Sequence, residues 1–152
     1  NRTSISNKEY WWALSRHRGS LLKRECRLVS TEFGTTKSFS VDIKGDYVVE
    51  RGYAWIPKKE FQISDYYFYL ALFSSSTFED MLSIYTRELA GGGWYDFAAK
   101  YTNHIPIPNV HHPGFREIKA YIELSLLGKA ISEEGSYFYS ERINEIVSTL
   151  FE

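Results

Sequence analysis

A chain of 152 residues, 43% apolar and 17% aromatic, is long enough for one domain with a sizeable core, or for one domain and a helical appendage. Its single cysteine, Cys26, excludes an internal disulfide and gives no sign of secretion, and its longest apolar run, residues 66–73, is too short to cross a bilayer. The formal net charge of −1 argues by itself against a strong nucleic-acid binder. These properties predict a cytoplasmic chain with no membrane partner. The first residue is Asn1 rather than Met, so a piece of a larger or processed polypeptide is expected.

In chain order, the first sixty residues read as β structure. Leu28 to Thr31 is a β-prone run, and Phe39, Val41 and Ile43 alternate with Ser38, Ser40 and Asp42 as in a half-buried strand. Lys44-Gly45-Asp46 is a turn signal followed by Tyr47-Val48-Val49, which predicts a hairpin over 38–49. A further strand, Tyr53 to Ile56, is closed by Pro57. From Ser64 the period becomes helical, with a short buried helix over 65–73. Ser76-Thr77-Phe78-Glu79 reads as a capping box opening a second helix with Phe78, Leu82, Tyr85 and Leu89 on one face, stopped by Gly91–Gly93. After the helix-excluding Ile105-Pro106-Ile107-Pro108, the stripe Phe115, Ile118, Ile122 and Leu126 predicts a third helix ending near Gly128. Residues 132–139 read as a loop. Ser140 then caps a last helix with Ile143, Ile146, Val147 and Leu150 inside. The expected architecture is α+β: an N-terminal twisted, mainly antiparallel sheet with packed helices, followed by C-terminal helices.

Charge and composition concentrate in two places. Residues 1–60 carry 12 Lys/Arg against 7 Asp/Glu, whereas residues 61–152 carry 6 against 12. Within residues 16–27, Arg16, Arg18, Lys23, Arg24 and Arg27 surround one acid, Glu25. Such a run is an electrostatic footprint for a polyanion, or a solvated face balanced by the acidic half. The second place is Gly91-Gly92-Gly93-Trp94-Tyr95. Three residues without Cβ can take φ > 0 and either present the following aromatic rings or let the helix end pack closely.

Four segments in order carry a resemblance to a known family: Tyr10-Trp11-Trp12-Ala13-Leu14-Ser15-Arg16 with the basic stretch after it; Gly45-Asp46-Tyr47-Val48-Val49 running into Arg51-Gly52-Tyr53-Ala54-Trp55-Ile56-Pro57; Tyr69-Leu70-Ala71-Leu72-Phe73-Ser74-Ser75-Ser76-Thr77-Phe78; and Gly91-Gly92-Gly93-Trp94-Tyr95 through Ile105-Pro106-Ile107-Pro108. Together they resemble the TaqI-like C-terminal target-recognition domain of adenine-N6 DNA methyltransferases. That domain also occurs in fused restriction-modification enzymes and is similar to half of a type I specificity subunit. Phe73 before Ser74 departs from the Asn-Ser that the family often has at this helix end. The resemblance implies a recognition domain over 1–110, a helical segment over 111–152, and a role in phage defence. Its partners would be double-stranded DNA and a methyltransferase catalytic domain in cis or in trans.

Neither the Asn/Asp-Pro-Pro-Tyr/Phe loop nor a glycine-rich strand-turn-helix for S-adenosylmethionine occurs here. The chain is therefore expected to catalyse nothing alone and to hold no cofactor, S-adenosylmethionine belonging to the parent catalytic domain. His104, His111, His112 and Asp96 lack metal-ligand spacing and read as loop residues. Cys26 lies among Lys23, Arg24 and Arg27, charges that can lower a thiol pKa, but a thiol enzyme would need a paired histidine, for which only His17 is near in sequence. On the DNA reading, Arg16, Arg18, Lys23, Arg24, Arg27, Lys37, Lys44, Lys58 and Lys59 contact the duplex, chiefly at phosphates. Base edges fall to Arg16, Arg18 and Arg51, since Arg pairs bidentately with guanine. Gly92 and Gly93 bring Trp94 and Tyr95 to the duplex. The alternative is a carbohydrate- or protein-binding β module with an exposed aromatic surface.

Overall fold

The computed structural model describes residues 24–47, 49, 51–135 and 137–152. It has the expected α+β fold. Strands β1 (Arg27–Ser30), β3 (Phe39–Asp42) and β4 (Tyr53–Trp55) form an antiparallel sheet in the order β3-β1-β4, and β2 (Phe33–Gly34) pairs antiparallel with β5 (Tyr95–Asp96). Among the described residues, helices α1 (Ile63–Phe73), α2 (Ser76–Tyr85), α3 (Ala99–Thr102), α4 (Lys119–Glu134) and α5 (Ser140–Ser148) complete it, with a 3-10 turn at Phe115–Glu117.

Helix α1 is the hub because it is buried on every side from Asp65 to Phe73, as a helix apolar all round must be. One flank meets the sheet through an aromatic cluster in which Phe39 lies 5.1 Å from Phe73 and 4.9 Å from Phe97, ring centre to ring centre. Phe73 in turn stacks on Phe78 at 4.5 Å. Fully burying each such ring is worth about 1.5–3 kcal/mol. The other flank meets α4, where Gly128 abuts the Tyr67 backbone and allows the close approach.

The N-terminus of α1 is fastened by Asp65, which has no exposed surface. Its carboxylate accepts from Gln62 N at 2.7 Å, from Arg116 Nε and Nη2 at 2.9 and 2.7 Å, and from the Tyr121 hydroxyl at 2.8 Å. Burial alone would raise this carboxyl, but the Arg116, Tyr121 and Gln62 hydrogen bonds and the Arg116 charge outweigh it and hold its pKa below the ordinary value. The hydrophobic core is continuous across residues 110 and 111, the expected boundary: Val110, Tyr121, Leu124, Ile131, Ile143 and Val147 share it with Leu28 and α1.

Several local expectations require correction. Strand β3 pairs with β1, with Leu28 opposite Val41, and the expected hairpin partner is not a strand at its described positions. Tyr47 and Val49 are outside any strand, and Val48 lies outside the described residues. The Asp42 carboxylate ends the strand by accepting from Asp46 N and Tyr47 N at 3.1 and 3.3 Å. Helix α2 is capped by Ser75, not Ser76: the Ser75 hydroxyl accepts from Phe78 N at 3.2 Å. It ends at Tyr85, so Leu89 is not helical and the glycine triplet does not stop it. Helix α4 runs through Gly128 to Glu134 and buries Tyr121, Leu124, Ser125, Gly128 and Ile131; the expected inner positions Ile122 and Leu126 face out, Leu126 at 65% exposure. The last helix begins where expected, with Tyr139 rather than Ser140 at its cap.

Candidate nucleic-acid interface

Sheet topology sorts the candidate cations into two groups. Because β3 and β4 both run antiparallel to β1, the start of β1 adjoins the ends of β3 and β4. Arg24, Lys44, Lys58 and Lys59 therefore share one end of the sheet, all exposed, with Glu25, Asp46 and Glu60 interleaved among them. Lys37, before β3, and Arg51, before β4, lie at the opposite end. The Lys37 ammonium sits 5.6 Å from the centre of the Tyr137 ring, whose hydroxyl donates to the Lys37 carbonyl at 3.1 Å. Arg16, Arg18 and Lys23 lie outside the described residues.

Arg27 belongs to neither surface. It is 2% exposed and ion-paired with Asp42, with Nε and Nη2 at 3.2 and 3.1 Å from Oδ2, and Nη2 also donates to the Tyr47 carbonyl. The pair pins residues 43–47 and thereby the Lys44 loop; Arg27 positions a cation-bearing loop rather than presenting its own charge. Beside it, the Cys26 thiol is pushed up to about 11 by burial and then by the Asp42 charge. Neither Arg24 nor Arg27 brings it below its ordinary value, and a reactive thiolate is disfavoured.

The glycine triplet forms the tip of a hairpin-like turn. Leu89 N donates to the Trp94 carbonyl at 2.8 Å, Asp96 N to the Arg87 carbonyl at 2.9 Å, and Gly93 N to the Glu88 carboxylate at 2.6 Å. Gly91, Gly92 and Gly93 have φ of 110°, 78° and 72°, a region that L side chains rarely enter. A Cβ at Gly91 or Gly93 would meet nothing within 4 Å. Conformation, not close packing of a helix end, is what requires glycine here. Trp94 stands 54% exposed beside this open backbone, whereas Tyr95 is buried on β5 and faces the core. Of the two aromatics expected on the surface, only Trp94 is there.

Sequence reasoning missed a cavity of about 320 Å³ between β4, α1, α3 and residues 105–108. Its walls include Tyr53, Trp55, Phe61, Tyr66, Tyr69 and Asn103. Trp55 Nε1 donates to Ser30 Oγ at 2.9 Å, and the Tyr69 hydroxyl donates to the Pro108 carbonyl at 2.7 Å, fixing the Pro-rich strut against α1. The high aromatic content was the one available signal, because it shows abundance but not convergence. His111 packs against Phe61 with ring centres 5.7 Å apart, and its Nε2 is buried without a hydrogen-bond partner among the described residues. No group of three or more metal-ligating side chains occurs among the described residues, and no described helix is long and apolar enough to cross a membrane. No protein-family model and no curated protein matches this chain.

Proposed function

We propose that this chain is a sequence-specific recognition domain for double-stranded DNA, working with an adenine-N6 methyltransferase catalytic domain in cis or in trans, in a methyltransferase or a fused restriction-modification enzyme. The observation that carries the reading is the Gly91–Trp94 turn, a three-glycine backbone with open space where side chains at 91 and 93 would stand and an exposed Trp beside it. A bare backbone of this kind admits close approach by a bulky partner. Exposed Lys44, Lys58 and Lys59 on sheet-end loops supply phosphate contacts, and exposed Arg51 supplies a bidentate donor for a guanine edge. Arg27 and Tyr95 have structural duties on this reading, the first holding the Lys44 loop and the second filling the core. S-adenosylmethionine chemistry belongs to the catalytic partner, and the expected setting is the cytoplasm.

The test is selection of this chain against a randomised duplex pool at about 50 and 200 mM salt, with sequencing of the bound fraction. Enrichment of one short motif, with affinity falling steeply at the higher salt, is the expected result. Replacing Lys58 and Lys59 together by Ala is expected to lower the salt slope by about 2, near 0.9 per phosphate contact. Binding that ignores salt, or no enrichment of any motif, would overturn the reading and favour a carbohydrate- or protein-binding module.

A further inference from the structure

None of the residues assigned to the duplex lines the cavity beneath β4, and its chemistry is specific. Among the described residues no charged side chain lines it, so it disfavours phosphates, carboxylates and ammonium groups. Rings of Tyr53, Trp55, Phe61, Tyr66 and Phe97 form much of the wall, a lining suited to a flat, unsaturated ligand. A volume of about 320 Å³ lies at the lower end of the range for sites that take one small molecule. Tyr53, Tyr66 and Asn103 have polar ends that hydrogen-bond to no described residue. Burial raises both tyrosine pKa values, so the hydroxyls remain protonated at neutral pH. Asn103 adds a carboxamide, with donor and acceptor side by side, as an amide-like ring edge requires. Beyond the lining residues Ile56 and Pro57, the chain continues into exposed Lys58 and Lys59.

From this combination we infer that the cavity binds a single unstacked nucleobase of a DNA strand, with the base among the aromatic rings and the adjoining phosphates towards Lys58 and Lys59. A neutral heterocycle suits the ring walls and can pair with those of the Tyr53, Tyr66 and Asn103 polar ends, unpaired among the described residues, that it reaches. A negatively charged backbone attached to it satisfies the lysine pair beyond the cavity, which a free base would not use. The inference rests on the DNA reading above, but its failure is separable from the failure of that reading.

The experiment compares the full chain's affinity for three duplexes of the same sequence: fully paired, carrying one bulged nucleotide, and carrying an abasic bulge at that position. Free adenosine, guanosine, cytidine and thymidine are measured alongside. The bulged base is expected to bind about tenfold more tightly than the abasic bulge, the scale of one base stacked on aromatic side chains. That advantage should shrink at least threefold in Asn103→Ala, and also in Tyr66→Phe, which removes a hydroxyl and leaves no new orphaned group. Affinity for the paired duplex should be unchanged in both. Equal affinity for the base and abasic bulges, with the paired duplex still bound, overturns the cavity assignment and leaves the DNA reading standing. Nucleoside binding without a base-dependent gain on DNA overturns the strand as the source. Failure to bind any duplex removes both proposals.

Discussion

Gly128 tests the packing logic of the fold most sharply, because two well-known effects oppose each other there. It lies within α4, where Gly→Ala ordinarily stabilises a helix interior by about 1 kcal/mol. Here the new Cβ would sit 2.7 Å from the Tyr67 carbonyl carbon and 3.2 Å from its Cα, with the carbonyl oxygen closer still. Ordinary contact begins at 3.4 Å, and the obstacles are backbone atoms of the fully enclosed hub helix, which no rotamer change can move. Helix α4 must therefore shift off α1, disturbing the contacts of Tyr121, Leu124 and Ile131. Overpacking of this kind costs about 1–3 kcal/mol, and more when only backbone can yield. After the propensity gain, Gly128→Ala is expected to destabilise the chain by about 2 kcal/mol, and Gly128→Val by more. With a urea m-value of about 2 kcal/mol/M, the midpoint should fall by about 1 M. A midpoint that rises, as propensity alone demands, or that stays within 0.2 M of the parent (about 0.4 kcal/mol by the same m-value), would show that α1 and α4 are not packed as closely as described.

Three further predictions concern two buried ion pairs and a thiol. Arg116→Met should cost about 3 kcal/mol at pH 7, because it strands the buried Asp65 carboxylate. As the folded Asp65 pKa is lowered from 3.8, its contribution is present above that value and is lost as pH falls through the folded value; urea midpoints of parent and variant should converge below about pH 4, and a gap unchanged at pH 3 would refute this. Asp42→Ala should cost a similar amount and abolish hydrogen-exchange protection at the Asp46 and Tyr47 amides, which would stay protected if the carboxylate did not hold the loop. With a thiol near 11, Cys26 should react with iodoacetamide at pH 8 about two orders of magnitude more slowly than a free cysteine, and a rate close to the free thiol would contradict its burial.

Much of the architecture was legible because local patterns and the final fold agreed. Alternation at Phe39–Asp42, the β-prone run at Tyr53–Trp55 closed by Pro57, and the apolar block of α1 each specify one element in any context. The errors share a cause. In α4, the stripe of Ile118, Ile122 and Leu126 outweighs the true inner face in hydropathy, because that face includes Ser125 and Gly128. Small residues there serve proximity to α1, which hydropathy does not measure. Likewise, the hairpin expected over 38–49 was locally sensible, but β1 offered β3 a better partner while Asp42 consumed the amides of the following turn.

The candidate site divides in the same way. Glycine's freedom to take positive φ at 91–93 and the cations of the sheet loops follow from residue type, but only the fold decided that the triplet is an open turn rather than a closely packed helix end. Whether a cation faces solvent or an aromatic faces a partner depends on what lies opposite after folding. Arg27 was withdrawn by Asp42, fifteen residues away in sequence, and Tyr95 by the core. The aromatic cavity had no local signal, since its walls come from β4, α1, α3 and the Pro-rich strut. Sequence by itself determined that strands form around Leu28, Phe39 and Tyr53 and that α1, α2, α4 and α5 are helical, because those depend on φ, ψ and short-range periodicity; β2, β5, α3 and the ends of α2 and α4 came with the tertiary fold. Tertiary structure alone decided which charges and rings remain available, because burial and pairing are properties of distant residues brought together.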